Sequence, residues 1–308
     1  MTRTVTWTRE GDAALGRATI AIGVFDGVHL GHQALIRDTV EQAREAGVDS
    51  VVVTFDCDPD RVVSPATAAP QLLDLEDKLA FIAEQGPSAI LVVPFDAEVA
   101  AMTPESFVHE VLLASVRPVA ALVGYDFRFG RAAQGDVATL ESLGSENGFV
   151  VVAHDLVMAD GAPVTSTRVR AAVAAGDVAL ASALLGRPHR LRGCVVRGRG
   201  AGTGLGVPTA NLTVHHESAV PADGVYAAYA TVGTARYPAA VSLGIPPTFP
   251  DAHDRVEAHL IGASGDLTGE TVVLEFVERL RDQRRFDSDE ELSSAIKTDV
   301  EKIRRILG

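Results

Sequence analysis

The first half of the chain alternates short apolar runs with segments of helical periodicity. The apolar runs are rich in β-branched residues, as buried strands of a parallel sheet are, and they cover residues 18–25, 50–56, 88–96, 120–124 and 149–155. The segments between them repeat apolar residues every three or four positions and end near glycine or proline, and they cover residues 32–47, 75–86 and 103–116. This alternation predicts a doubly wound α/β domain, which binds ligands beyond the carboxyl ends of its strands.

The second half has a different pattern. Beyond residues 166–186, short strands follow one another closely, with Gly and Pro turns between them, at residues 190–198, 210–214, 224–233, 237–244, 255–262 and 271–281. This spacing predicts a small antiparallel β-barrel, followed by an amphipathic terminal helix within residues 287–307. The change of pattern near Gly186 predicts two domains, residues 1–185 and residues 186–308.

Composition and charge narrow the classes of function. Apolar residues make up 47% of the chain and charged residues 22%, as in an ordinary globular protein. The net charge of −14 argues against nucleic-acid binding, which needs a basic face, but it leaves room for a local pocket that binds one nucleotide. The two cysteines, Cys57 and Cys194, have no metal-ligand spacing and suit a reducing compartment. Without an apolar signal core or a long uncharged apolar stretch, the sequence predicts a cytoplasmic protein with no membrane partner.

The string IGVFDGVHLGHQALI at residues 22–36 carries the first candidate chemistry. It places His29 and His32 between glycines, where the first predicted strand gives way to a helix. Gly23 and Gly31 allow the backbone to approach a ligand, and a helix N-terminus attracts anions. The imidazoles can donate charge-assisted hydrogen bonds to phosphate oxygens. Two surface histidines, or half of a metal site, are the alternatives.

The same string resembles the GxFDGxHxGH signature of nucleotidyltransferases, and nearly the whole chain resembles the bacterial bifunctional riboflavin kinase/FMN adenylyltransferases (FAD synthetases). Further blocks of resemblance follow in the family's order, at residues 51–59, 123–136, 164–170, 185–198, 205–212, 224–227 and 256–260. The resemblance implies that ATP phosphorylates riboflavin to FMN in the barrel, with release of ADP. It implies that a second ATP adenylylates FMN to FAD in the first domain, with Mg²⁺ at the phosphates. It also places Phe25 and Asp26 among the ligand-binding residues, and it names no protein partner.

Residues 164–170 contain a Ser-Thr-Arg block. Ser166 and Thr167 offer hydroxyls to a triphosphate, and the guanidinium of Arg168 can clamp the pyrophosphate that leaves. The alternative role of the two hydroxyls is to cap a helix, and both roles are compatible.

Residues 126–129 follow a predicted strand and resemble the family's flavin-binding block. A flavin ring is expected to stack on Phe127 and Phe129 beside Arg128, while Asp126 accepts hydrogen bonds from the flavin or its ribityl chain. Two core phenylalanines are the alternative.

The block LGVPTANL at residues 205–212 predicts a metal and phosphate site. Pro208 restricts the backbone, and Thr209 and Asn211 present oxygens on one face of an extended segment, as Mg²⁺ ligands do. The backbone N–H groups of the preceding loop can bind phosphates, and its glycines are Gly202, Gly204 and Gly206. The resemblance adds Glu257 as the general base for the ribityl 5′-hydroxyl; a lone strand glutamate more often faces solvent.

Two departures from the family's pattern leave alternatives open. Asp58 stands where the family commonly has histidine, and an acid repels a triphosphate unless a metal lies between them. Residues 244–249 read GIPPTF where the family commonly has GTNPTF. The alternatives to a bifunctional enzyme are therefore a riboflavin kinase whose first domain is weak or inactive, and a flavin-binding carrier without turnover.

Overall fold

A computed structural model of the chain describes residues 2–10, 15–197, 209–244, 256–284, 286 and 288–308. The chain divides into two compact units, Met1–Thr165 and Ser166–Gly308. The predicted elements that lie between residues 198 and 208, and between residues 245 and 255, fall outside the described residues.

The first unit is built on a six-stranded parallel sheet with strand order β1-β4-β3-β2-β5-β6. Its strands are β1 (Arg3–Thr6), β2 (Leu15–Ile22), β3 (Asp49–Phe55), β4 (Ala89–Val93), β5 (Val116–Gly124) and β6 (Val150–His154). Two short strands, β7 (Met158–Ala159) and β8 (Ala162–Pro163), form a separate hairpin. Its helices are α1 (Leu30–Ala46), α2 (Asp60–Val63), α3 (Leu75–Ala83), α4 (Ala97–Ala101), α5 (Pro104–Ser106), which continues as a π-helix over Phe107–Leu113, and α6 (Val137–Asn147).

The strand order places a topological switch between β2 and β5. The chain runs from β2 to β3 to β4 on one side of β2 and then returns to place β5 on its other side. Ligands of doubly wound sheets bind in the crevice at such a switch, beyond the carboxyl ends of the strands. The loops that follow β2 and β5 therefore meet at the binding edge, and these loops carry residues 23–29 and 125–129.

The predicted sheet is confirmed. Strand β1 and helix α6 are among the elements that the sequence analysis did not predict. The edge strand β1 is mostly exposed, so it lacks the buried apolar run by which the other strands were predicted. Helix α6 buries only Leu140, Leu143 and Gly144, which is too narrow an apolar stripe to stand out in the sequence.

The second unit is a closed antiparallel barrel with strand order β10-β13-β12-β11-β14-β9. Its strands are β9 (His189–Val196), β10 (Ala210–Val214), β11 (Gly224–Val232), β12 (Ala235–Leu243), β13 (Val256–Leu260) and β14 (Thr271–Arg281). Helices α7 (Ser166–Ala174) and α8 (Val178–Leu185) precede the barrel, and α9 (Asp289–Leu307) follows it. The predicted barrel and terminal helix are confirmed.

Two contacts attach the terminal helix to the barrel. The Tyr229 hydroxyl donates a hydrogen bond to the Leu307 carbonyl at 2.9 Å. The Arg281 guanidinium at the end of β14 forms an ion pair with Asp299 at 2.8 Å, and the Asp299 carboxylate is buried. The ion pair therefore fixes where α9 lies against the end of β14.

Helices α7 and α8 belong to the barrel unit. Val178, the first residue of α8, is buried in the core of the barrel, and the left-handed Gly176 before it lies against the Tyr226 hydroxyl and the Arg279 side chain. The compact units consequently divide after Thr165. The boundary near Gly186 remains our proposal for where the second functional domain begins.

The buried His189 makes the stability of the barrel depend on pH. Its Nε2 donates to the Ala219 carbonyl at 2.8 Å, and burial lowers the pKa of His189 to about 4 from its ordinary 6.5. Because the folded pKa lies below the unfolded one, the histidine's full contribution to stability is present above pH 6.5 and is lost as the pH falls toward 4.

We expect the barrel to lose about 2 kcal/mol of unfolding free energy between pH 7 and pH 5 through this one group. His189→Gln removes the titration, so the unfolding free energies of wild type and variant should converge on acidification. Calorimetry of the full chain measures this, and fluorescence of Trp7, the single tryptophan, identifies the transition of the first unit. Parallel pH dependence in wild type and variant would show that His189 does not titrate on unfolding.

Candidate functional site

The turn that follows β2 has an unusual backbone. Phe25, Gly27 and Val28 all have positive φ angles, of 55°, 81° and 39°. Glycine adopts this conformation freely, but a β-branched residue such as Val28 pays about 1–3 kcal/mol for it. Phe25 and Val28 are both buried in the core that packs beneath the turn. Packing therefore holds the turn in a shape that its residues would not adopt alone.

This turn delivers His29 to the N-terminus of helix α1. His29 is the N-cap residue, and its Nδ1 accepts a hydrogen bond from the His32 amide at 3.3 Å. An Nδ1 that accepts leaves the hydrogen of a neutral imidazole on Nε2, so Nε2 is the atom that can donate to a ligand. The first turn of α1 contains no acidic residue, so the positive end of the helix is available to an anion.

His32 stacks on His29 with a distance of 3.6 Å between ring centroids. Phe25 supports His32 from the other direction, edge-on, at 5.2 Å. A side chain at Gly31 would meet the His29 ring at 3.1 Å, and one at Gly23 would meet the Phe25 ring at 3.0 Å. The two glycines therefore leave room for the rings that orient the histidines, in addition to any approach of a ligand.

Phe25 and Asp26 are both buried, and their expected ligand-binding roles stay predictions. Phe25 is 1% exposed and has no free ring face, so it acts as a support for His32. Asp26 is 6% exposed, and its carboxylate accepts hydrogen bonds from the amides of Leu72 and Leu73 at 3.1 to 3.2 Å. Asp26 therefore anchors a distant loop to the turn.

Lys78 is a functional candidate that the sequence analysis missed. It lies on the buried face of α3, and its Nζ donates to the Phe55 carbonyl at 2.6 Å and to the Val24 carbonyl at 3.4 Å. Burial lowers the pKa of Lys78, and the nearby acidic groups, Asp26 foremost, oppose that effect. The signal in the sequence was a lysine in register with Phe81 and Ile82, on the apolar face of a predicted helix.

The loop after β3 carries the departure from the family's pattern. The carboxylate of Asp58 is half-buried and accepts a hydrogen bond from the Asp60 amide at 3.1 Å. Its negative charge acts on Lys78, more weakly than those of Asp26 and Asp56. In the same loop, burial raises the pKa of the Cys57 thiol to about 11, so Cys57 is protonated at neutral pH and is no nucleophile.

In the loop after β5, the residues expected to bind flavin differ in how deeply they are buried. Phe129 is 7% exposed, and its ring packs over Gly135 and near Phe107. It packs in the core of the first unit, as the alternative for this residue expects, and its stacking on flavin stays a prediction. Phe127 is half-buried and stacks on Phe129 at 5.4 Å.

Three neighbours of these rings are exposed. Arg128 pairs with Asp136 at 3.3 Å, and both side chains face solvent. Asp126 is exposed, and so is Tyr125, at 59%. Tyr125 is a further aromatic group at the binding edge that the sequence analysis did not single out, although it directly follows the strand. Asp126, Phe127 and Arg128 remain predicted ligand-binding residues.

Ser166, Thr167 and Arg168 form the first turn of α7. Thr167 is exposed, and the other two are half-buried. Their expected role toward a triphosphate stays a prediction.

The candidate residues of the barrel lie in one row. Val256, Ala258 and Leu260 fill the barrel core, so strand alternation turns Glu257 to the outer face. Glu257 pairs directly with Asn211 on β10 and with Ser242 on β12. Partners in an antiparallel register point to the same face, with Cβ atoms about 5 Å apart. A carboxylate, an amide and a hydroxyl therefore adjoin one another on this face.

Thr209 precedes β10 and is half-buried, and as the second residue before Asn211 it has the same expected orientation. Gly202, Gly204, Gly206 and Pro208, the predicted phosphate-binding loop, lie outside the described residues. Within the described residues, no three His, Cys, Asp or Glu side chains converge as a metal site. Any metal here would depend on the neutral oxygens of Thr209 and Asn211 and on its substrates.

Comparison with known proteins connects both sites to established families. The family model for FAD synthetase matches residues 12–168, and the one for riboflavin kinase matches residues 185–307. A bifunctional riboflavin kinase/FMN adenylyltransferase from Escherichia coli is 34% identical, with 94% of this chain and 92% of its own length covered. Its counterpart from Pseudomonas fluorescens is 37% identical, covering 92% and 91%.

A solved structure has the same fold over nearly the whole chain. The crystal structure of a macrolide-efflux protein from Streptococcus pneumoniae is 29% identical and covers 98% of both chains, with a TM-score of 0.85. Among the residues described here, no helix has both the length and the apolar character needed to cross a membrane.

The position of Lys78 generates a prediction. Lys78→Met keeps the length of the side chain but leaves two strand-end carbonyls and the Asp26 carboxylate without the ammonium. We expect the unfolding free energy of the first unit to fall by about 2–3 kcal/mol, measured by urea unfolding of the full chain with Trp7 fluorescence. Lys302→Met, at an exposed lysine of α9, is the control. An unchanged unfolding midpoint for Lys78→Met would contradict the structural role.

Proposed function

This chain belongs to the family of bifunctional riboflavin kinase/FMN adenylyltransferases, and from that membership we propose how its residues perform the two reactions. The enzyme uses ATP to phosphorylate riboflavin to FMN and then to adenylylate FMN to FAD. The barrel carries the kinase reaction, and the parallel sheet carries the adenylyl transfer. The observation that carries the residue assignment is the position of His29 and His32 at the N-terminus of α1, beside the topological switch of the sheet.

In adenylyl transfer, a phosphate oxygen of FMN attacks the α-phosphorus of ATP. The bond from that phosphorus to the bridging oxygen breaks, and pyrophosphate leaves with the electron pair. Negative charge grows on the leaving group as this bond breaks, so donors aimed at it stabilise the transition state more than the ground state. Nε2–H of His29, the stacked imidazole of His32 and the N-terminus of α1 are the donors that we assign to this task.

The remaining assignments in this reaction follow the family's pattern. Asp126, Phe127 and Arg128 contact the flavin, with Tyr125 as an additional aromatic neighbour. Ser166, Thr167 and Arg168 bind the phosphates. The match to both family models and to bifunctional relatives favours activity in the first unit over the alternative of a kinase with an inactive first domain.

In the kinase reaction, Glu257 accepts the proton of the ribityl 5′-hydroxyl. The oxygen attacks the γ-phosphorus of the first ATP, and ADP leaves. The register that joins Glu257 to Asn211 brings the base next to a residue that we assign to the magnesium ion.

The oxygens of Thr209 and Asn211 fit a magnesium ion, which binds few protein oxygens and takes its other ligands from water and phosphates. When bound, it would neutralise phosphate charge during transfer. Asn211 is buried beside the Glu257 carboxylate. Its amide offers an oxygen to the metal and adds no second negative charge next to that carboxylate.

We also place the enzyme in the cytoplasm. Cys57 and Cys194 are both free thiols, which agrees with a reducing compartment, and ATP is a substrate of both reactions.

The histidines provide the test of the adenylyl-transfer site. We expect His32→Ala to slow conversion of supplied FMN to FAD by about 10²–10³-fold, because a donor to the leaving pyrophosphate is lost. Phosphorylation of riboflavin should continue at the normal rate, since Glu257 and Asn211 lie in the barrel unit. Both rates are measured on purified full chain with ATP and Mg²⁺, with FMN and FAD separated over time.

His109→Ala is the matched control, because His109 is an exposed histidine of the same unit. FAD formation by His32→Ala at the wild-type rate would remove His32 from the site.

The metal assignment has its own prediction. Thr209→Val keeps the shape of the side chain and removes one oxygen, so we expect a severalfold higher Mg²⁺ concentration for half-maximal FMN formation. Thr213→Val is the control, because Thr213 is exposed and lies two residues beyond Asn211 on the same strand face. An identical Mg²⁺ requirement in wild type and Thr209→Val would exclude Thr209 as a ligand.

A further inference from the structure

Ser242 adjoins the candidate base on the outer face of the barrel. It is the second-last residue of β12, and its neighbours Val241 and Leu243 are buried in the barrel core. Alternation therefore turns the Ser242 side chain outward, and its register partner on β13 is Glu257. The hydroxyl and the carboxylate lie on adjacent strands with their Cβ atoms about 5 Å apart. This distance is within reach of a hydrogen bond between the two side chains.

Gln283 determines the direction in which the Ser242 hydroxyl donates its hydrogen. It lies just beyond the end of β14, and its Nε2 donates to the Ser242 Oγ at 2.7 Å and to the Leu243 carbonyl at 3.0 Å. Both amide hydrogens are thus committed to the end of β12. Because Ser242 Oγ accepts from Gln283, its own hydrogen is directed away from the amide. The acceptor on the adjoining strand is the Glu257 carboxylate.

We propose that Ser242 is a positioning residue for Glu257, to which it donates a hydrogen bond, and that Gln283 holds Ser242 in the donating orientation. This inference rests on the proposed function, since it deepens the role assigned to Glu257 as the base of the kinase reaction.

The arrangement serves proton transfer by fixing the orientation of the base. A carboxylate with one oxygen bound to Ser242 leaves its other oxygen for the ribityl 5′-hydroxyl. The proton passes from the 5′-hydroxyl to Glu257, and the hydrogen of Ser242 stays on serine throughout. Ser242 itself touches no reacting atom.

Ser242→Ala in the full chain tests the proposal. We expect kcat for FMN formation to fall about tenfold, as loss of a hydrogen bond to a charged group predicts, with little change in KM for riboflavin. Ser242→Thr retains the hydroxyl and should restore the rate.

Two further measurements keep the result interpretable. Conversion of supplied FMN to FAD by the first unit should be normal in each variant, and circular dichroism should show an intact fold. Thr213→Val removes an exposed hydroxyl from the same outer face of the barrel and should leave FMN formation unchanged. Gln283→Leu should show the same changes as Ser242→Ala to a smaller degree, because serine keeps its hydroxyl but loses its orientation.

The outcomes separate this inference from the proposed function. A normal kcat in Ser242→Ala would overturn the inference. A raised KM for riboflavin with an unchanged kcat would also overturn it, since Ser242 would then bind the substrate. Glu257→Gln tests the base alone: a wild-type rate there would refute the proposed function of Glu257. Loss of activity in Glu257→Gln with no effect of Ser242→Ala would refute only the role of Ser242.

Discussion

A buried ammonium group at the carboxyl ends of two neighbouring parallel strands determines the geometry of the first unit's binding edge. Lys78 donates to the Phe55 carbonyl at the end of β3 and to the Val24 carbonyl just beyond β2. The Val24 carbonyl also accepts from the Thr54 hydroxyl of β3 at 3.1 Å. The two loops that follow carry the histidines and Asp58. Lys78 thereby joins the starting points of both loops.

The turn between β2 and α1 depends on that fixed starting point. Its left-handed residues Phe25 and Val28 are unfavourable by themselves, and burial of their side chains stabilises them. Asp26 in the middle of the turn accepts two amides from the Leu72–Leu73 loop. The turn is therefore held both by packing on the core and by the Leu72–Leu73 loop. It positions the imidazole pair of His29 and His32. Preorganised donors of this kind need no rearrangement when charge develops on a leaving group.

The barrel differs from the first unit, because side chains fill its interior and its candidate catalytic residues lie on its outer face. Strand alternation places Val256 and Ala258 in the core and turns Glu257 outward. Antiparallel register then assembles neighbours from strands distant in sequence, so that Asn211, Glu257 and Ser242 form one row. A shift of one residue in any of these strands would turn its polar side chain to the opposite face of the sheet. The site thus depends on the apolar residues that determine the register.

Local patterns in the sequence were sufficient for the two folds and for the histidine motif. Runs of β-branched residues predicted β2 to β6, close spacing predicted the barrel strands, and the glycines around His29 and His32 marked a strand-to-helix junction. These features depend on residues within a few positions of one another, where periodicity and turn preferences act. Strand β1 and helix α6 escaped prediction because neither carries a wide apolar stripe.

Only the tertiary structure decided which residues of the motifs are available to a ligand. Phe25 and Phe129 have the composition of binding residues, yet their rings are buried by packing against other segments. Asp26 is bound by amides 46 residues away, and Gln283 reaches Ser242 across 41 residues. The sequence by itself determined the secondary structure, the two-part fold and the His29–His32 motif, since each arises from short-range patterns. The supports of those motifs, Lys78 and Ser242 among them, were decided by tertiary packing, because burial and register join residues that no local pattern relates.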